Sequence, residues 1–457
     1  MGNSKRDFSP KIDRTVWLYI VSFVGFSFSL LAFWPGFMEI DSFMQYAQAK
    51  GLLSLNDWHP ISMAILWRIL LYIHDGPEVM LILQISLYWG GFLYLALGLY
   101  RDTANFPLAL GAIIIAFSPF SINFPGVIWK DVELAISFFW ACILLCFKPS
   151  RSKLILSLVF IYYGISVRHN GLFAALPVAV LWSDRFSRFA GINHKFRLPI
   201  LTFTVFLFYE LLGLTLSQFI NFEKTSPLNA QFLNEITYIQ CQSPREDLAF
   251  PITYYGEAWQ TSEPKYRKKR ICDRVIALAS TTDTNSIFDE GYLKNPSYRD
   301  PDIKRLWLQS VMGSPLRYLQ YRAIVYRTFL RPFSYAEPSY YLYDTIEGQD
   351  IVPNYFRPSM KVINPLGTTQ FLIDYVNLSA QYLSILFRPF FWLLLLIFIA
   401  GFFLYKKDRF TFFVSLSGLL YLLMYFFFLP SPDFRYAYYS IFATITAIFG
   451  ILKTYVN

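Results

Sequence analysis

The sequence predicts an all-α polytopic membrane protein of about ten transmembrane helices, with a mixed extracytoplasmic domain inserted before the last three. Three observations carry this. Only 16% of the 457 residues are charged, while 55% are hydrophobic and 20% aromatic, whereas soluble domains average about 25% charged. Several nearly uncharged runs reach the length needed to cross ~30 Å of hydrocarbon. Lys and Arg gather in short clusters between those runs, as positive-inside topology requires. The net charge of +9 is spread over these clusters, so it reads as topology and implies no nucleic-acid partner.

Lys5, Arg6, Lys11 and Arg14 precede the first run, 16–36, and no small-residue cleavage site follows it. That run is expected to be an uncleaved anchor. Further runs lie at 77–99, 106–124, 130–147, 153–167, 170–184 and 198–220, and the last three at 388–405, 409–429 and 437–453. Basic clusters stand before residue 15, at Lys148/Arg151/Lys153, at Arg185/Arg188/Lys195/Arg197 and at Lys406/Lys407/Arg409. Putting all of them in the cytoplasm requires a single crossing between Pro60 and Asn105. The stretch 61–74, short and carrying Arg68, is therefore expected to stay outside as an interfacial helix, and both termini to be cytoplasmic. Residues 1–221 form an N-terminal transmembrane domain with a first outer loop at 37–60, and 388–457 form the C-terminal helices.

Between 222 and 387 the chain turns polar, rich in Pro, Asn, Asp and Tyr. About 165 residues can bury a core of their own. Cys241 and Cys272 lie here, whereas Cys142 and Cys146 lie inside an apolar run; an extracytoplasmic pair fits a disulfide. KYRKKR (265–270) reads as a solvated basic face, and the tyrosine-rich SYAEPSYYLYD (334–344) as domain packing. The amphipathic stretch 315–333 is expected to dock on the spans or on the membrane surface.

Charged chemistry collects on the outer side. The first loop carries Glu39, Asp41, Lys50, Asp57 and His59, and NFPGVIWKDVELA carries Lys130, Asp131 and Glu133. SVRHNG carries Arg168, His169 and Asn170, and LPSPDFRYAYY carries Asp433, Arg435 and Tyr436. Interfacial anchoring explains any one of these turns. It does not explain acids beside bases in three of them, so a shared site is expected. Asp41 opens an amphipathic stretch, with Ile40, Phe43, Met44 and Ala47 on one face and Asp41, Gln45 and Gln48 on another, which predicts a helix lying on the bilayer. Asp41 reads either as its N-cap or as a general base for a hydroxyl at the interface. Arg168, Arg435 and Lys130 suit a phosphate, arginine best of all.

An acidic residue in the first outer loop, an interfacial helix, His59-Pro60 and a terminal Arg435-Tyr436 turn resemble the GT-C class of integral membrane glycosyltransferases. Protein O-mannosyltransferases and lipid A aminoarabinose transferases are members of that class. The resemblance covers the plan of the whole chain. It implies a polyprenyl-phosphate sugar donor, inverting transfer to a glycan, lipid or protein acceptor, and a site facing the periplasm or outside of a bacterial cytoplasmic membrane. On matching positions Asp41 is the catalytic acid residue, His59 the His of the loop, and Asp131 the second acid. Glu39, His169, Asn170, Asp433 and Tyr436 then line the substrates. The first loop departs from the pattern, with Glu39-Ile40-Asp41 where relatives have adjacent acids. No cofactor is called for; were a divalent cation bound, Asp41, His59 and His169 would supply its donors. A transporter or lipid flippase, favoured by Glu210 within an apolar run, and a membrane O-acyltransferase are the competing readings.

Overall fold

The computed structural model describes residues 14–56, 58, 60–191, 202–207, 209–210, 223, 226–242, 264–280, 300, 302–333, 367–429 and 432–456. Among these the chain is helical, with no strand and with isolated parallel bridges at Phe37–Val127 and Asn56–Glu223. In chain order the helices are α1 (Arg14–Phe33), α2 (Ile40–Ala49), α3 (Ile61–Leu70), α4 (Glu78–Thr103), α5 (Phe106–Ile114) and α6 (Pro119–Ile122). Then come α7 (Lys130–Cys146), α8 (Arg151–Val167), α9 (Gly171–Phe189), α10 (Leu228–Cys241), α11 (Pro264–Ser280) and α12 (Asp302–Gly313). The chain continues with α13 (Pro315–Leu330), α14 (Gly367–Tyr382), α15 (Pro389–Lys406), α16 (Arg409–Phe428) and α17 (Tyr438–Val456).

Among the described residues, five helices are long and apolar enough to cross a membrane: α1, α4, α15, α16, and α17 with the 3-10 turn before it. Large apolar side chains stand exposed on them, such as Trp17, Ile20 and Phe23 on α1 and Leu394, Ile397 and Phe398 on α15. An integral membrane protein turns such faces to lipid, where a helix satisfies its own backbone groups. The run at 130–147 is α7, buried on nearly every side among α4, α8, α9 and α17. A helix apolar all round belongs at the centre of a bundle.

The helices alternate in direction, so two sets of termini meet. At one end Lys453 Nζ lies 2.7 Å from Asp102 and donates to the Cys146 carbonyl at 3.3 Å. At that end too, Asp184 pairs with Arg188 at 3.0 Å and with Arg409. At the other end the α1–α2 loop, the start of α7, the α8–α9 turn and the α16–α17 turn converge.

Several expectations are corrected here. The run at 106–124 is not one helix: Pro119 lacks an N–H and forces Ser118 into an extended conformation (φ −60°, ψ 144°). Thus α5, a 3-10 turn over Ile115–Phe117 and α6 follow one another. The run at 170–184 continues to Phe189, because its last turn carries the Asp184–Arg188 pair. The run at 198–220 falls largely outside the described residues. α2 does not float with its polar face in water: Gln45 and Gln48 are buried along with Phe43, Tyr46 and Ala47. α3 packs along α2, and Arg68 closes its C-terminus by donating to the carbonyls of Ala49 (2.9 Å) and Gln48 (2.7 Å), groups a helix end leaves unpaired. At about 1.5 Å per residue α3 spans about 15 Å, half of the hydrocarbon thickness.

The described residues of the insertion form helices and turns with no strand, Glu223 making only an isolated bridge, so the expected mixture of helix and strand is absent from those residues. α10 and α11 are joined by the Cys241–Cys272 disulfide, with Cα atoms 5.5 Å apart. Lys269 and Arg270 on α11 are exposed, as a solvated face requires. The 315–333 stretch supplies α13, which docks on the end of α16: Arg322 donates to the carbonyls of Phe426 (2.7 Å) and Tyr425 (3.3 Å). The same guanidinium meets buried Glu235 of α10 at 3.1 Å, and the Trp307 indole also donates to that carboxylate. The 334–344 tyrosines lie outside the described residues.

Candidate functional site

The α1–α2 loop is fixed before any charge is considered. After α1 the chain turns at Gly36, whose φ of 121° favours glycine. Phe37 then pairs with the loop ahead of α7, its N–H donating to Gly126 O (3.0 Å) and its carbonyl accepting from Ile128 N (2.9 Å). The approach is so close that a Cβ on Gly126 would lie 2.0 Å from the Phe33 ring. Ser42 Oγ donates to Ile128 O at 2.7 Å and accepts from Glu39 N at 3.2 Å. Gln84 of α4 donates to Val127 O at 3.3 Å. These bonds hold Glu39 and Asp41 beside the first turn of α7.

The charges then interlock. Asp131 lies between two arginines, paired with Arg168 and 3.9 Å from Arg435 Nε. Arg435 also meets Asp433 at 3.2 Å and, through Nη1, Glu39 at 2.9 Å. Lys130 Nζ is 3.5 Å from Asp41. The Tyr436 ring faces both guanidiniums, 4.6 Å from Arg168 and 5.2 Å from Arg435, and Trp129 covers Arg435 at 4.5 Å. Such ring faces attract cations. Arg168 Nε donates to Asn170 Oδ1 at 3.1 Å, and Asn170 Nδ2 to the Tyr425 hydroxyl at 3.2 Å, which donates to Tyr421 at 2.8 Å.

The cluster has depth. The Asp131 side chain is 3% exposed, whereas Glu39 and Asp41 are 26% and 32% exposed. Arg168, Arg435 and Asp433 are buried with Asp131. Glu39 and Asp41 thus form the accessible rim, with Lys130 (14% exposed) set deeper beside Asp41, above a buried layer of two arginines and two aspartates. Four carboxylates face three cations, leaving one surplus negative charge when all are ionised. Burial raises the Glu39 carboxyl from 4.5 to about 7, against the pull of Arg435 and with the push of Asp41 and Asp433.

Glu39, Asp41, Lys130, Asp131, Arg168, Asn170, Asp433, Arg435 and Tyr436 are therefore brought together from four separate turns. His59 lies outside the described residues, and His169 is exposed in the α8–α9 turn. Asp41 is not the N-cap of α2; that position is Glu39, and Asp41 stands in the first turn. Among the described residues no three His, Cys, Asp or Glu side chains are grouped to hold a metal ion. Sequence reasoning missed Ser42, Trp129, Tyr421 and Tyr425. Trp129 carried a faint signal as the aromatic directly before Lys130-Asp131, while Tyr421 and Tyr425 are hidden in an apolar run.

Fold and cluster together define an all-α integral membrane protein with a layered charged site at one end of its bundle. Comparisons with protein-family models, with curated proteins and with solved structures each find no match.

Proposed function

We propose that this chain is a GT-C-like glycosyltransferase with about ten spans and cytoplasmic termini, moving a sugar from a polyprenyl-phosphate donor to an envelope acceptor on the extracytoplasmic face. The observation that carries the reading is the convergence of carboxylates and cations from four turns at one end of an apolar bundle. A lipid-linked donor keeps its tail in the bilayer, so its phosphate and reacting carbon sit where helices end. The Cys241–Cys272 bridge supports an oxidising compartment for the α10–α11 segment.

In the proposed reaction the acceptor hydroxyl attacks the anomeric carbon from the face opposite the phosphate, and the bond from that carbon to the phosphate oxygen breaks with inversion. Asp41, the most exposed carboxylate of the cluster, takes the hydroxyl proton. Arg168, Arg435 and Lys130 receive the charge that develops on the departing phosphate. Asp131 keeps the two arginines side by side. Purified protein in lipid nanodiscs, given polyprenyl-phosphate sugars and envelope acceptors, should consume donor and form product of inverted anomeric configuration. No consumption across a panel of sugars and acceptors would sink the reading.

Glu210, the residue that favours a transporter, is exposed at the end of the described 209–210 stretch. A flippase would move lipid-linked sugar between leaflets without breaking the sugar–phosphate bond, and the same nanodisc assay, run in vesicles, separates the two.

A further inference from the structure

We propose that Glu39 is a built-in competitor for the anion-binding face of Arg435: its carboxylate occupies the guanidinium in the ligand-free protein, and an incoming phosphate takes its place. The inference rests on the phosphate-donor reading above. Arg435 meets three carboxylates, and they are not equivalent. Asp131 is buried and shared with Arg168. Asp433 is buried and held within its own turn, accepting from Arg435 N at 3.0 Å as well as lying 3.2 Å from its Nε. Glu39 alone of the three comes from the accessible rim, and it engages a terminal nitrogen of the guanidinium at 2.9 Å.

A carboxylate and a phosphate present guanidinium with the same pair of charged oxygens. A phosphate arriving from the rim therefore meets Arg435 where Glu39 now sits, with Asp41 and Asp433 adding to the repulsion and Lys130 behind Asp41. Two anions drawn to one guanidinium nitrogen repel each other, so the phosphate and Glu39 compete for it. Glu39 is equipped to leave. Its backbone is fixed, the N–H to Ser42 Oγ (3.2 Å) and the carbonyl to Phe43 N (2.9 Å), so the loop stays in place while the side chain gives up Arg435 and pivots on the Ser42 N–H that it caps at the start of α2. Its departure also removes the surplus negative charge just as the phosphate brings one in.

The test is binding, read by calorimetry and by the part of the tryptophan fluorescence change that Trp129→Phe removes, the Trp129 ring lying 4.5 Å from the guanidinium carbon of Arg435. The full chain in detergent is titrated with a short-chain prenyl phosphate and, separately, with inorganic phosphate. The first arm reports a lipid-linked phosphate, the second a free one. Glu39→Gln, which keeps the shape without the charge, should bind the prenyl phosphate about tenfold more tightly than the native chain, a gain of about 1.4 kcal/mol. Glu39→Asp, one carbon shorter, should fall between the two, and Arg435→Lys should bind about tenfold more weakly. Equal or weaker binding by Glu39→Gln would show that the carboxylate belongs to the site and would overturn the inference, as would failure of the native chain to bind either phosphate. Tighter binding by Glu39→Gln with no sugar transfer by any form would leave the inference standing and remove the transferase reading. Transfer without that tightening would do the reverse.

Discussion

Asp41 and Glu39 stand two positions apart and answer to different partners, Lys130 for the first and Arg435 for the second. Since Glu39 holds the N-cap position of α2, an amide at Asp41 sacrifices no cap. It costs a favourable charge in the first turn, worth roughly 0.3–1 kcal/mol. Asp41→Asn should therefore fold and reach the membrane at native levels yet lose about 10²–10⁴-fold in sugar transfer, measured as initial rate per milligram of folded protein. Native-like turnover would take Asp41 out of the mechanism. Glu39 gives a pH prediction. Its folded pKa is raised to about 7 from 4.5, so between these values the unfolded chain has lost a proton that the folded chain retains. Stability then falls as pH rises through that window, and the penalty is complete above about pH 7. Glu39→Gln lacks this titration, so relative to the native protein it should melt higher at pH 8 than at pH 5. A difference in melting temperature independent of pH would contradict the assignment. At this scale the sequence revealed residues whose chemistry is conspicuous, Arg435 and Asp131 among them. It hid Tyr425 and Ser42, whose importance lies in which long-range neighbour they touch.

At the scale of elements, the loop pairing between Phe37 and Val127 decides whether the carboxylates reach α7 at all. Gly126 is its narrowest point, with Phe33 in the way of any Cβ. Gly126→Ala should cost about 1–3 kcal/mol through overpacking and move the α1–α2 loop away from Lys130. Sugar transfer should fall much further than the melting temperature suggests, because the misplacement is at the reacting groups. An alanine variant with native activity would show that the loop can accommodate the methyl. Helix existence was well foreshadowed, because long apolar runs have little alternative in lipid. Boundaries and environments were less so. Pro119 interrupts a run that hydropathy reads as continuous, and the glutamines of α2 look solvent-facing until α3 is seen packed along that helix. Amphipathic spacing gives the direction of a polar face, but not what covers it.

Across the whole molecule, the alternating helix directions put His169 and Gly51 at the charged end and Arg151 and Lys407 at the opposite one, all four exposed. Single cysteines at 51 and 169 should react with a membrane-impermeant maleimide added from outside, and cysteines at 151 and 407 only after permeabilisation. The native thiols Cys142 and Cys146 are buried, so they should give little background. Outside labelling at 151 with protection at 169 would invert the topology and remove the rationale for an extracytoplasmic site. The basic clusters are what predict this orientation, because charge placement records insertion, and the labelling is its test. The packing of α13 onto the end of α16 was anticipated only as docking of some kind; the buried Arg322–Glu235 pair that secures it involves residues far apart in the chain, with no periodicity to betray them.

The Glu39–Arg435 pair joins positions 396 residues apart, and that distance becomes a delay when the chain is made. At a synthesis rate of roughly 5–20 residues per second, about 20–80 s separate the first partner from the second. Over that interval Asp131 and Arg168 have both been made, whereas Glu39 has yet to meet its arginine. The cluster is therefore completed only when the α16–α17 turn has been made. A chain that stops before the α16–α17 turn lacks Asp433 and Arg435 together, so the net charge of the cluster is unchanged, but Glu39 is left without its arginine and α7 without α17 packed against it.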